Sequence, residues 1–129
     1  MKRAGIEKAV VTSFTPPDLD FKKANDQIHR AVKSQRKFIG FAAVDPRLGD
    51  IAAAEVKRCF KKLGFNGVKI NPLEQGFQTN SDLVASTIRK AGDLGIPVII
   101  ESGHPVHNHQ GQDPAVRSII AKMANGAEP

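Results

Sequence analysis

A carboxylate and a histidine follow the most apolar stretch of this chain. Residues 96–100 read Ile-Pro-Val-Ile-Ile, and Glu101 and His104 come after them with Ser102 and Gly103 between. A run of Val and Ile without polar alternation is typical of a strand that is covered on both faces, as in parallel α/β sheets. In such sheets the chemistry lies beyond the carboxyl ends of the strands. Glu101 and His104 are therefore the first candidate site residues.

A lysine interrupts a second apolar stretch. Lys69 stands between Val68 and Ile70, where a charged amine is costly unless it reaches a counter-charge, a pocket mouth or solvent. A functional lysine and one that merely extends to solvent are both open at this point. Asn71 follows two residues later and shares the face of the strand with Lys69. Ile99 and Glu101 are also two residues apart, so they too are expected to share one face of a strand.

Three histidines lie close together after the last apolar run, at positions 104, 107 and 109. Neutral imidazoles at this spacing suit zinc, iron or manganese. The surrounding asparagine, glutamines and glycine equally favour a flexible polar loop. Asp45 also follows an apolar run and precedes Pro46, which is compatible with a ligand contact but more typical of a turn.

The elements that must position these residues alternate along the chain. Apolar, β-branched runs predict four strands, over residues 9–14, 38–44, 67–70 and 98–100. Three- and four-residue apolar spacing predicts helices between and after them, over about 21–32, 51–63, 81–94 and 113–125. Asp50 is the expected N-cap of the second helix, and Gly64 and Gly95 are expected stops. The order predicts an α/β fold with a parallel sheet and right-handed crossovers.

Composition limits the class of protein. The 129 residues predict a single domain, and no apolar segment reaches the roughly 20 residues of a membrane span. The formal net charge is +6, but the basic pairs are scattered over helix faces and Tyr and Trp are absent, which argues against nucleic acid. The single Cys59 is expected to be a buried structural thiol. The expected location is cytoplasmic.

Four phrases in order resemble the amidohydrolase-related metal-dependent hydrolases and decarboxylases, which are TIM barrels. They are residues 4–11, 38–46, 63–72 and 94–103. The resemblance implies a partial TIM barrel, a half-barrel of about four parallel βα units spanning residues 1–129. It also implies hydrolysis or decarboxylation of a small carboxylated substrate.

The resemblance further implies a divalent metal, with zinc expected, held at the barrel mouth. Glu101 falls where the family usually has a histidine, so it becomes the candidate catalytic residue and metal ligand, with His104 as a second ligand. Asn71 falls where a histidine is common. Lys69, Asn71 and His104 are the candidate substrate contacts.

A complete TIM barrel needs about 250 residues, so the length of this chain requires an explanation. The chain is expected to be the N-terminal half of a longer barrel that is incomplete or inactive alone. The alternatives are a half-barrel that self-associates through its exposed sheet edges, and a degenerate member that binds a small anionic ligand without catalysis.

Overall fold

Four parallel strands form one sheet in the computed structural model, which describes residues 2–16 and 18–102. The strands are β1 (Ala9–Val11), β2 (Phe38–Ala43), β3 (Gly67–Ile70) and β4 (Val98–Ile100), and they lie in the order β1-β2-β3-β4. Sequential order with parallel pairing is the arrangement of consecutive βα units in a barrel. The predicted α/β half-barrel is confirmed. The first strand is shorter than predicted, because it ends at Val11 and leaves Phe14 beyond it, 83% exposed.

The helices that connect the strands are α1 (Phe21–Val32), α2 (Asp50–Leu63), α3 (Pro72–Gln75) and α4 (Asp82–Leu94). Two single 3₁₀ turns cover Lys2–Ala4 and Pro46–Leu48. None of the helices in the described ranges is long and apolar enough to cross a membrane. The predicted helix near residues 113–125 lies outside the described residues.

Glycines end two helices at the predicted points. Gly64 and Gly95 adopt left-handed backbone conformations after α2 and α4, which glycine accepts without a Cβ penalty. The expected N-cap of α2 is wrong by one residue. Helix α2 already includes Asp50, and Gly49 takes the cap position with φ +55°, so the carboxylate lies in the first turn, where it complements the helix dipole.

The core lies between the sheet and its helices. Val44, Val68 and Ile70 lie on the outer, helix-facing side of the sheet, where they pack with the apolar sides of α2 and α4. A second cluster joins Ala42 to Cys59 and Phe65. Alternate residues of each strand therefore point to the opposite face, which is the interior side of the half-barrel.

The interior face is apolar and partly open. Val10 is 47% exposed and Ile99 is 41% exposed, although both belong to strands. Phe41 is buried because its ring lies on Gly67 of the neighbouring strand, at a place where a Cβ would collide with it. These two apolar strand residues are thus left partly uncovered by the described part of the chain.

Asn25 of α1 hydrogen-bonds to the backbone at the end of β2, beyond the point where β1 stops pairing with it. Its Nδ2 donates to the carbonyl of Ala43 and its Oδ1 accepts from the Ala43 amide, both at 2.9 Å. These bonds occupy the backbone groups that β1 cannot reach, because β1 pairs only as far as Gly40. The fully buried Asn25 thus acts as a short substitute for strand β1.

Candidate functional site

Lys69 points to the interior face of the half-barrel. It lies in register with Ala43 on one side and Ile99 on the other, while its neighbours in sequence, Val68 and Ile70, point into the helix-facing core. Its side chain is 20% exposed, so most of it is covered while part of it reaches solvent. The sequence prediction that this lysine needs a mouth or a counter-charge is consistent with that position.

Glu101 supplies a counter-charge. Its Oε2 lies 3.9 Å from Lys69 Nζ, and its side chain is 46% exposed. The Glu101 amide donates to the carbonyl of Ile70 at 3.0 Å, so the backbone of the residue is fixed just beyond β4. Because 3.9 Å is too long for a hydrogen bond, the contact is an open ion pair. Two of the predicted site residues are therefore together at the carboxyl edge of the sheet.

Asn71 is engaged in local structure. Its Oδ1 accepts from the Glu74 amide at 3.1 Å and its Nδ2 donates to Glu74 Oε2 at 3.2 Å, which makes it the N-cap of α3. Pro72 then occupies the first helical position, as is usual after such a cap. These bonds use one hydrogen of Nδ2 and one lone pair of Oδ1, so the Asn71 amide keeps one donor and one acceptor site for a further contact.

Two further polar residues tie the strand ends together. Gln75 is fully buried, and it donates from Nε2 to the carbonyl of Val44 at 2.8 Å and accepts at Oε1 from the Asn71 amide at 2.9 Å. Thr15 Oγ1 donates to Glu74 Oε2 at 2.7 Å across 59 residues of sequence. These bonds fix the loops after three strands relative to one another. Sequence reasoning missed Thr15, Glu74 and Gln75, because nothing local predicts such long-range partners.

Asp45 stabilises the turn after β2. Its carboxylate accepts from the Arg47 amide at 3.0 Å and holds the Arg47 guanidinium at 2.7 Å. The side-chain hydrogen bond from Arg47 to Asp45 raises the pKa of the guanidinium, against the effect of burial. The turn interpretation of Asp45 accounts for its contacts.

The described residues do not fit a divalent metal. Within residues 2–16 and 18–102, no three His, Cys, Asp or Glu side chains come together as a ligand group. Glu101 brings one carboxylate, and that carboxylate lies 3.9 Å from the Lys69 ammonium. The candidate ligand His104 lies outside the described residues, as do His107 and His109.

The helix-facing side carries a separate polar network. Glu55 binds the Arg58 guanidinium at 2.8 Å and accepts from Asn25 and from the Cys59 thiol. Burial favours protonation of Glu55, but these hydrogen bonds outweigh it and lower its pKa. Burial, followed by the Glu55 charge, strongly raises the pKa of the Cys59 thiol. The fully buried Cys59 thus matches the expected structural thiol.

A cavity of about 450 Å³ lies between α1 and α2, beside the end of β2. Leu19, Phe21, Leu48 and Ile51 are among its lining residues. It does not include Lys69 or Glu101, because it lies on the helix side of the sheet and they lie on the interior face. The candidate site is therefore an open edge and not this cavity.

Comparisons with known proteins agree with the fold. Residues 6–125 match the family model described as Amidohydrolase. A γ-resorcylate decarboxylase of Polaromonas sp. (strain JS666 / ATCC BAA-500) is 40% identical over 58% of this chain and 26% of the relative.

Two solved structures are similar over nearly the whole chain. The 5-carboxyvanillate decarboxylase of Novosphingobium aromaticivorans DSM 12444, complexed with manganese and 4-hydroxy-3-methoxy-5-nitrobenzoic acid, has a TM-score of 0.67 and 26% identity, over 97% of this chain and 36% of that one. The dihydroxybenzoic acid decarboxylase of Polaromonas sp. JS666, with manganese and 2-nitroresorcinol, has a TM-score of 0.61 and 26% identity, over 96% and 40%. The chain thus spans between about a quarter and two-fifths of these relatives.

Proposed function

Because the chain belongs to the amidohydrolase family, we propose that it forms the N-terminal part of a barrel that decarboxylates a small carboxylated aromatic substrate. Hydrolysis of a small carboxylated substrate was the other reaction that the resemblance implied. The decarboxylase relatives favour the first reaction. Under this proposal residues 1–129 are one partial barrel domain that is incomplete or inactive alone.

The observation that carries the proposal is the position of Lys69. Its ammonium lies at the carboxyl end of a parallel sheet, on the interior face, where enzymes of this architecture bind their substrates. The exposed side chain of Ile99 flanks it in register. A cation beside an apolar surface matches an aromatic ring that bears a carboxylate.

Each candidate residue has a task in this reaction. Lys69 binds and orients a substrate carboxylate. Decarboxylation breaks the bond between the carboxyl carbon and the ring, leaves the electron pair on the ring carbon, and requires a proton there. Glu101 is the candidate group that takes a proton from water and delivers it to the ring carbon. Asn71 and His104 remain proposed substrate contacts.

A divalent metal is supported for the complete protein by the manganese in two relatives. Zinc remains a prediction, as does ligation by His104, whereas the contact with Lys69 argues against Glu101 as a ligand. The other ligands would come from outside the described residues. A cytoplasmic location and the absence of nucleic-acid and membrane partners also remain predictions.

The proposal is tested by turnover of the complete protein. With manganese present, dihydroxybenzoates and carboxyvanillate are supplied, and the release of carbon dioxide is measured. Lys69→Met should reduce kcat/KM by about tenfold or more, since a charge-assisted bond to the substrate is lost. The exposed Lys57 offers the matched control Lys57→Met, which should retain activity. Equal activity of Lys69→Met and Lys57→Met would contradict the proposal.

A second candidate function has its own observation. β1 and β4 form the two edges of the described sheet, and their residues Val10 and Ile99 are exposed on the interior face. A non-catalytic half-barrel that self-associates through these edges and binds a small anion at Lys69 would cover them. Sedimentation separates the two, because this second function requires an oligomer of the 129-residue chain.

A further inference from the structure

Glu101 is the residue at which the amidohydrolase resemblance and the described geometry disagree. The resemblance makes it a metal ligand, whereas its carboxylate lies 3.9 Å from the Lys69 ammonium. We propose that Glu101 is the counter-ion of Lys69 instead of a metal ligand, and that a ligand carboxylate displaces it from the ammonium. The inference rests on the proposed function, since it specifies how Lys69 is kept ready for the substrate.

The charge arrangement disfavours a metal at Glu101. Divalent metals bind carboxylate oxygens at about 2 Å, so a metal on Oε2 would lie within about 6 Å of Lys69 Nζ. Two cations at that distance repel each other, and the partly buried position of Lys69 weakens the screening by water. At the position where the family usually has a histidine, this chain therefore has a carboxylate that already faces a positively charged group, the ammonium of Lys69.

The lysine needs that partner. Its neighbours in register on the interior face are Ala43 and Ile99, which offer no polar atom in their side chains. An ammonium over such a surface is stabilised by the nearest carboxylate. Glu101 reaches it from the end of β4, where the hydrogen bond to Ile70 holds its backbone.

The pair is also built to be opened. At 3.9 Å it has no hydrogen bond, so the three N–H donors of Lys69 are not committed to Glu101. Glu101 is 46% exposed and can turn to water when an anion arrives. A ligand carboxylate that approaches to hydrogen-bonding distance gains a stronger contact than the one it replaces. The free protein thus holds an internal competitor for its own ligand.

Calorimetric titration of the complete protein with two separate probes, benzoate and Mn²⁺, tests this. Glu101→Gln removes the competing charge, so benzoate should bind about two- to fivefold more tightly, the range expected for one exposed ion pair. Lys69→Met should weaken benzoate by about tenfold or more. The Mn²⁺ affinity of Glu101→Gln should stay within about twofold of the wild-type affinity, because the variant loses an ion pair with Lys69 and does not lose a metal ligand.

Glu7→Gln and Lys57→Met are matched controls, because both residues are exposed and lie away from this edge. A Mn²⁺ affinity that falls tenfold or more in Glu101→Gln would establish a metal ligand and overturn the inference. Unchanged or weaker benzoate binding in that variant would overturn it too, as would a wild type that binds no benzoate. The proposed decarboxylation is judged separately, by the release of carbon dioxide.

Discussion

Asn25→Ala tests how strongly the fold depends on a side chain that substitutes for a strand. The buried amide satisfies both backbone groups of Ala43 and also donates to Glu55 Oε1 at 3.0 Å. Alanine would leave an amide and a carbonyl at the end of β2 without partners, and each unsatisfied buried group costs about 1–3 kcal/mol. We expect a loss of about 3–5 kcal/mol, which is a large share of the roughly 5–15 kcal/mol that stabilises a domain.

Asn25→Asp refines the prediction. A carboxylate can accept from the Ala43 amide, but it cannot donate to the carbonyl, and it would face the carboxylate of Glu55. The free energy of unfolding should fall at least as far as in Asn25→Ala at neutral pH. It should recover in part as the pH is lowered, because a protonated aspartic acid can donate one hydrogen bond.

Urea unfolding followed by circular dichroism measures these changes. The exposed Asn66 provides the control Asn66→Ala, which should stay within about 0.5 kcal/mol of the wild type. A loss below about 1 kcal/mol in Asn25→Ala would refute the reasoning, since it would mean that water or a shift of β2 satisfies the groups of Ala43 at little cost.

The packing and the titrating groups lead to predictions for the glycines at 67 and 92, for Glu55 and for Cys59. Gly67→Ala should lower the free energy of unfolding by about 1–3 kcal/mol, because the new Cβ collides with the ring of Phe41. Gly92→Ala, in an open part of helix α4, should raise the free energy of unfolding by about 0.5–1 kcal/mol. Urea unfolding measures both changes. Because the pKa of Glu55 is lowered in the folded protein, its ionised carboxylate stabilises the fold above about pH 4.3, the unfolded value. This contribution is lost as the pH falls through the folded pKa. Glu55→Gln should therefore flatten the acid limb of a curve of stability against pH. Cys59 should resist a thiol reagent at pH 8 in the folded protein and react at once in urea; fast reaction without denaturant would contradict its burial.

The positions of the elements were predictable because local patterns determine them. The strand at 67–70 and the stops at Gly64 and Gly95 follow from apolar runs and from glycine's tolerance of positive φ. Helix α3 was missed although its signal was present, since Asn71-Pro72 and the later Gly76 mark the start and end of a single turn.

The site was predictable only in part. Parity placed Lys69 with Asn71 and Ile99 with Glu101 on the faces of their strands, but the 3.9 Å contact between Lys69 and Glu101 depends on β3 and β4 being neighbours. The buried roles of Gln75 and Asn25 depend on backbone groups that lie 31 and 18 residues away. Such partners are set by tertiary packing, which no local pattern records.

Our main proposal is that this chain contributes Lys69 to a decarboxylating barrel. Its most direct test supplies the complete protein, with manganese, with a dihydroxybenzoate labelled with carbon-13 at the carboxyl carbon. We expect labelled carbon dioxide and the matching phenol in equal amounts, at a rate that falls about tenfold or more in Lys69→Met. Retention of the label in the aromatic compound, or labelled carbon dioxide at an unchanged rate from Lys69→Met, would contradict it.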